Sequence, residues 1–217
     1  MVEVDGWRSV RKDISLRSAK KQGGKIANYS LDIINSAINQ CVMKRVALDV
    51  GAHIGIVANQ LSKVFRYVHA FEIDNDIRPH LIYNLQRKGV TNITVHNFGL
   101  GDRNAGVNIH KSNKSFSTHV IHESTGIYKI QPLDDIGLDD IDFIKMDAEG
   151  YEPLIIKGAM QTILRNRPVI LYECKDHPKR YGDYHKDSVL DMLEPHGYKL
   201  VKKVGRGLKN AIIEFKG

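Results

Sequence analysis

The chain begins without rhythm and then acquires one. Residues 1–29 are polar and irregular, with Gly23-Gly24 as a break. Beyond them Leu31, Ile33, Ile34, Ala37, Ile38, Cys41 and Val42 recur at helical spacing. With Ser30 placed as N-cap, this predicts an amphipathic helix. Alternation follows. RVALDV is a continuous apolar run suited to a strand buried on both faces, IGIVANQLSKVF is helical, YVHAFEI is a second strand and NDIRPHLIYNLQRK a second helix. Pro79 fits only the first turn of that helix, and Gly89 suits its end. NITVHNFGL predicts a third strand with a loop.

Order then weakens. GVNIHK reads as a short strand and SNKSFSTHVIHESTG as a mobile polar loop. IDFIKMD is strongly strand-like, YEPLIIKGAMQTILRN helical, RPVILYECK a strand and KDSVLDMLEPH a helix. YKLVKKV and NAIIEFK form a hairpin across GRGLK. Strands separated by helices of this length imply a parallel sheet covered on both faces. The expected fold is therefore α/β, doubly wound and mostly parallel, with the C-terminal hairpin adding an antiparallel edge. Residues 1–43 form an N-terminal basic segment with its helix, and residues 44–217 the main domain.

Composition narrows the setting. A chain of 217 residues that is 42% hydrophobic can build one sizeable core. No run of eighteen apolar residues argues for a membrane span, and MVEVDGWRSVRKD has no apolar signal-peptide core. Cys41 and Cys174 make neither a disulfide framework nor a zinc set, so a reducing, cytoplasmic setting is expected. The sequons at Asn92 and Asn113 are then chance matches. The net charge of +7 sits at the ends: residues 1–45 hold nine Lys/Arg against four acids, and residues 196–217 six against one. Basic ends can guide an anionic partner such as nucleic acid or a phosphorylated sugar. No aromatic residues are interleaved with them for stacking, which favours a plain solvated surface.

In a doubly wound sheet the ligand lies beyond the carboxyl ends of the strands. Asp49 ends the first strand, Gly51 and Gly55 frame the turn, and Glu72 ends the second strand. Glycines allow close backbone approach, and a carboxylate at Glu72 can accept both ribose hydroxyls of an adenosine. A dinucleotide fingerprint would require a glycine where His53 stands, and Asp49 would repel a pyrophosphate. An acid at that position suits the ammonium and sulfonium of S-adenosylmethionine better.

DVGAHIG, FEID, NFGLGD and PLDDIGLDDIDFIKMDAEGYEPLIIKGA together resemble the FkbM-type family of S-adenosylmethionine-dependent methyltransferases, over roughly residues 44–175. The most specific stretch is IKMDAEGYE, Ile144 to Glu152, which is similar position by position to the family's K-x-D-x-E-G-x-E signature. The resemblance implies a seven-stranded Rossmann-like sheet and O-methylation of a hydroxyl on a sugar, polyketide or other small molecule. It implies that Asp49, Gly51, His53 and Gly55 line the methionine end of the cofactor, with Glu72 on the ribose and Asn97 and Gly99 near the adenine.

A sugar hydroxyl is a very poor acid, so its methylation needs a base or a metal. Asp147 ends the IDFIKMD strand, and Glu173 ends the next, with Asp176 and His177 just beyond. In one reading Asp147 and Glu173 hold Mg²⁺, a hard cation that oxygen ligands suit. In the other, Asp147, Glu173 or His177 is a direct general base. Glu149 and Glu152 follow within a turn, where acids also stabilise a helix start. Lys145 shares a face with Asp147 and could pair with a nearby acid. His53 reads as loop packing.

Two rivals stand beside the small-molecule enzyme. One is a methyltransferase acting on RNA or protein, although no N-P-P-[YF] motif is present. The other is a cofactor-binding module without catalysis. Acceptor selectivity is expected in residues 1–30 and 103–130, with SNKSFSTHVIHEST as a candidate lid. So small a cap leaves the pocket open to a large acceptor or covered by a second subunit of a homodimer.

Overall fold

The computed structural model describes residues 1–10, 31–111, 118–121 and 126–217. The chain starts with a small antiparallel hairpin, β1 (Val2–Val4) and β2 (Trp7–Ser9), where the sequence pattern predicts only irregular structure. Its turn is Asp5-Gly6, both at positive φ. Helix α1 (Leu31–Ile38) then precedes β3 (Val46–Val50), α2 (Ile56–Ser62), β4 (Tyr67–Phe71), α3 (Arg78–Arg87) and β5 (Ile93–His96). The expected cap Ser30 lies outside the described residues. Pro79 sits in the first turn of α3 as expected, and Gly89 follows its end with φ 69°.

Four short strands come next: β6 (Gly99–Leu100), β7 (Ala105–Lys111), β8 (Thr118–Ile121) and β9 (Tyr128–Gln131). They form a separate sheet in the order β6-β9-β7-β8. Part of the expected polar loop is therefore a strand: THVI pairs with NIHK in register, His119 opposite His110. The remainder of that loop, residues 112–117 and 122–125, lies outside the described residues.

The chain returns to the main sheet with β10 (Ile141–Met146), continues through α4 (Glu152–Lys157), α5 (Met160–Asn166) and β11 (Val169–Glu173), and closes with α6 (Ser188–Leu193), β12 (Tyr198–Val204) and β13 (Asn210–Phe215). The seven strands run β12-β13-β11-β10-β3-β4-β5. All neighbours from β11 to β5 are parallel, and β13 is antiparallel to both β11 and β12. The hairpin thus does more than add an edge. Its second strand inserts next to β11, and β12 becomes the edge.

Each face of the sheet has its own core. Leu48, Val50, Ile144, Met146 and Ile170 pack beneath α4 and α6. Ala47, Val68, Phe143, Leu171 and Ile212 pack beneath α1 and α2. The N-terminal hairpin adds Val4 and Trp7 to Ile54, Ile56 and Ile77 beside the glycine turn. Asn84 on α3 fastens it there. Fully buried, its Oδ1 accepts from the Arg8 amide at 2.9 Å, while Nδ2 donates to the carbonyls of Arg8 and Ile54, both at 2.9 Å. Among the described residues, no helix is long and apolar enough to cross a membrane.

Candidate active site

The carboxyl ends of β4, β3, β10 and β11 lie side by side, and nearly every sequence-derived site residue falls on that rim. Close backbone crossings hold it together. Gly51, at φ 75°, lies against the turn after β10, where a Cβ would come within 2.0 Å of the Asp147 carbonyl oxygen. Gly150, at φ 103°, abuts the turn after β11, where a Cβ would come within 2.6 Å of the His177 carbonyl carbon. Glycine is required at both places because the neighbouring main chain occupies the volume a side chain needs. Gly55 instead makes room for a side chain. Leu81 of α3 reaches within 2.6 Å of where a Cβ on Gly55 would sit.

Glu72 is buried just past β4 and organises the glycine turn. Its Oε2 accepts from the His53 amide at 2.7 Å, and Oε1 accepts from the Asp74 amide at 2.9 Å. Burial pushes its carboxyl up to about 7, although both amides pull the other way. A carboxylate oxygen has two lone pairs, so each can still accept from a ligand hydroxyl. His53 adopts φ 51°, which turns its amide toward Glu72. Asn97 is exposed in the turn after β5, and Gly99 in β6 packs against Ile73, the residue after Glu72.

Asp49 is completely buried rather than presented at the mouth. It occupies the penultimate position of β3, on the face toward α2, and its Oδ1 lies 3.1 Å from the Lys145 ammonium. Lys145 also donates to the Gly51 carbonyl at 2.9 Å and the Val50 carbonyl at 3.4 Å. Burial works against its charge, but Asp49, Asp147 and Glu72 more than offset that and hold it above the usual lysine range. Burial pushes the Asp49 carboxyl up, with Lys145 opposing. The lysine of the signature therefore braces the glycine turn from below.

On the other half of the rim, Asp147 is exposed at the end of β10. Glu149, in a left-handed conformation at φ 54°, points Oε2 to within 3.3 Å of His177 Nδ1. Glu173 Oε2 lies 4.0 Å from the same nitrogen, and its other oxygen is ion-paired with Lys175. The charges of Asp147, Glu149, Glu152 and Glu173 oppose one another. Burial, reinforced by Asp147 and Glu173, pushes Glu149 up to about 7. Burial pushes Glu152 up to about 8 despite the Ala148 amide that it accepts at 2.7 Å. Burial and the nearby Arg180 and Lys175 lower His177, so its imidazole is biased toward the neutral form. Of the Asp147–Glu173 pair expected for a metal, Glu173 also belongs to a three-residue set among the described residues. Glu149, Glu173 and His177 converge there, with ligand atoms all within 4.8 Å of one another. Glu149 was legible only as an acid near a helix start, because its approach to His177 depends on the Gly150 crossing.

A parallel sheet with an inserted antiparallel strand, a glycine turn and an acid on the next strand defines a Rossmann-like methyltransferase fold. The methyltransferase FkbM domain family matches residues 49–200, and the chain belongs to that family of S-adenosylmethionine-dependent methyltransferases. The fold is similar to that of the FkbM methyltransferase from Methylobacillus flagellatus KT, with 22% identity and a TM-score of 0.53 over 80% of this chain and 44% of that one. This chain thus spans less than half of that relative. A Streptococcus mutans protein described as a methyltransferase, solved with S-adenosylhomocysteine, is similar at 12% identity and a TM-score of 0.54, over 85% of this chain and 96% of that one. The precorrin-6y C5,15-methyltransferase from Geobacter metallireducens is similar at 15% identity and a TM-score of 0.56, over 100% of this chain and 98% of that one. No curated protein matches the chain.

Proposed function

We propose that the protein transfers a methyl group from S-adenosylmethionine to a hydroxyl of a sugar, polyketide or similar small molecule. One observation carries this reading: Glu72, beside the glycine turn, and a carboxylate–imidazole rim at Asp147, Glu149, Glu173 and His177 lie at the same end of one sheet. The donor set suits the cofactor. Glu72 keeps acceptor capacity for the ribose, and the half-buried Ile73 beside it offers an apolar face to the base. The surplus of acids over Lys145 and Lys175 favours a ligand carrying an ammonium and a sulfonium. When bound, that cofactor supplies an electrophilic methyl group whose bonding electrons leave with sulfur.

The chain's own residues do the rest. Gly51 and His53, fixed by Lys145 and Glu72, hold the methionine end, and Gly99 lets Ile73 pack close on the adenine side. Asp147, exposed at the strand end, accepts the acceptor's hydroxyl proton as the new oxygen–carbon bond forms. Glu173 and His177 close the acceptor side. Mg²⁺ held by Asp147 and Glu173 is a poorer fit, because the converging set includes an imidazole. No step is assigned to Mg²⁺.

The test is methyl transfer from labelled S-adenosylmethionine to a panel of hydroxylated sugars and polyketides, with RNA and protein as alternative acceptors. An alkali-stable methyl ether on a small molecule, lost in Asp147→Asn while cofactor affinity stays, supports the reading. Label on RNA or protein alone, or cofactor binding with no transfer to any acceptor, overturns it.

A further inference from the structure

We infer that Glu149, Glu173 and His177 form a binding site for one divalent transition-metal ion, of the Mn²⁺ or Zn²⁺ class, on the acceptor side of the rim. The inference deepens the reading above and rests on it for its role, polarising the acceptor oxygen, but not for the binding itself.

Three features support it. First, the spacing is right. His177 Nδ1 lies 3.3 Å from Glu149 Oε2 and 4.0 Å from Glu173 Oε2, and all three ligand atoms fall within 4.8 Å of one another. Ligands about 2.0–2.2 Å from a common ion lie about 3–4 Å apart, which both His177 distances meet; the two carboxylates close on the ion by a small side-chain rotation. Second, the groups are fixed: His177 Nδ1 is buried with no hydrogen-bond partner among the described residues and faces the two carboxylates, whose side chains, 23% and 12% exposed, leave the outer side open to water or an acceptor hydroxyl. The Gly150 crossing and the left-handed backbone of Glu149 bring the first turn against the second. Third, a carboxylate stands behind the set without enough partners. Glu152 is 1% exposed; Oε1 accepts from the Ala148 amide, while Oε2 is buried with no hydrogen-bond partner. Burial, with Asp147 and Glu173 adding to it, disfavours its charged form. A cation at the rim compensates that buried oxygen electrostatically.

The donor chemistry selects the ion. One imidazole with two carboxylates suits Mn²⁺ or Zn²⁺, whereas Mg²⁺ demands nearly all-oxygen octahedral coordination. A competing cation already stands at the site: the Lys175 ammonium is paired with Glu173. Removing it should free an oxygen and strengthen metal binding, an effect that misfolding cannot imitate.

The experiment uses the full chain stripped with a chelator, with Mn²⁺ followed by electron paramagnetic resonance and Zn²⁺ by calorimetry, and Mg²⁺ as control. Expected are one ion per chain, affinity at least tenfold lower in Glu173→Gln and His177→Ala, and affinity higher in Lys175→Met. Circular dichroism checks that each variant is folded. S-adenosylhomocysteine affinity is measured on the same samples, so failure of the metal site is distinguished from failure of the methyltransferase reading. No saturable Mn²⁺ or Zn²⁺ binding, binding indifferent to Glu173→Gln and His177→Ala in folded protein, or unchanged affinity in Lys175→Met would overturn the inference.

Discussion

Replacing Lys145 by methionine tests how the signature strand supports the cofactor turn. The substitution keeps length and apolar stem but removes the ammonium that lies 3.1 Å from Asp49 and donates to the carbonyls of Gly51 and Val50. Asp49 is 0% exposed, so its charge would be left buried without a partner. Breaking such a pair costs about 3–5 kcal/mol, and protonation of the already raised Asp49 carboxyl limits the loss to the lower half of that range at neutral pH. With a urea slope of about 2–3 kcal/mol/M, the midpoint should fall by roughly 1–2 M. The double variant Asp49→Asn with Lys145→Met removes the orphaned charge and should regain at least half of the loss. It should not regain cofactor affinity, because the Gly51 carbonyl still lacks its donor. Urea titration and calorimetry with S-adenosylhomocysteine read the two effects separately. A midpoint shift below about 0.3 M, or a double variant no more stable than the single one, would refute the role given to Lys145.

Other expectations follow from the same geometry. Asn84→Ala removes the three hydrogen bonds of this buried side chain and unpins the N-terminal hairpin, at a cost of about 2–3 kcal/mol by urea titration, with faster hydrogen exchange at Arg8. Gly150→Ala must push the backbone of His177 aside and should cost about 2–4 kcal/mol, with any methyl transfer lost in the protein that still folds. Glu152, held at about 8 in the folded chain, retains a proton that the unfolded chain releases near pH 4.5, so it contributes a loss of stability as pH rises from about 4.5 to 8. Glu72 and Glu149, at about 7, act in the same direction. Glu152→Gln should therefore flatten the pH dependence and raise stability at pH 8 relative to wild type, an effect on the order of 2–4 kcal/mol read by urea titration at pH 5 and 8.

Much of the molecule was legible because its signals are local. The apolar run VALDV, the helical spacing after it and the acid past YVHAF specify β3, α2 and β4 wherever they occur. Strands of three or four residues carry too few alternations to stand out, so β1, β2, β8 and β9 become strands only through their partners. The insertion of β13 beside β11 is a choice between two antiparallel neighbours, and no periodicity encodes it. Lys145 was readable as a lysine near acids, and the structure gives it Asp49. Asp49 itself was expected at the mouth but is sealed, because it sits one residue inside the strand end. The meeting of Glu149 with His177 joins turns from two strands, and only the crossing at Gly150 makes it visible.

Glu72 has to be both the clasp of the glycine turn and the receptor of the ribose if this fold works as a methyltransferase in the way described. Calorimetric titration of wild type and Glu72→Gln with S-adenosylhomocysteine tests that directly. One site per chain with affinity at least tenfold weaker in the folded variant is the predicted result. Equal affinity in both proteins, or no binding to the wild type, would contradict it.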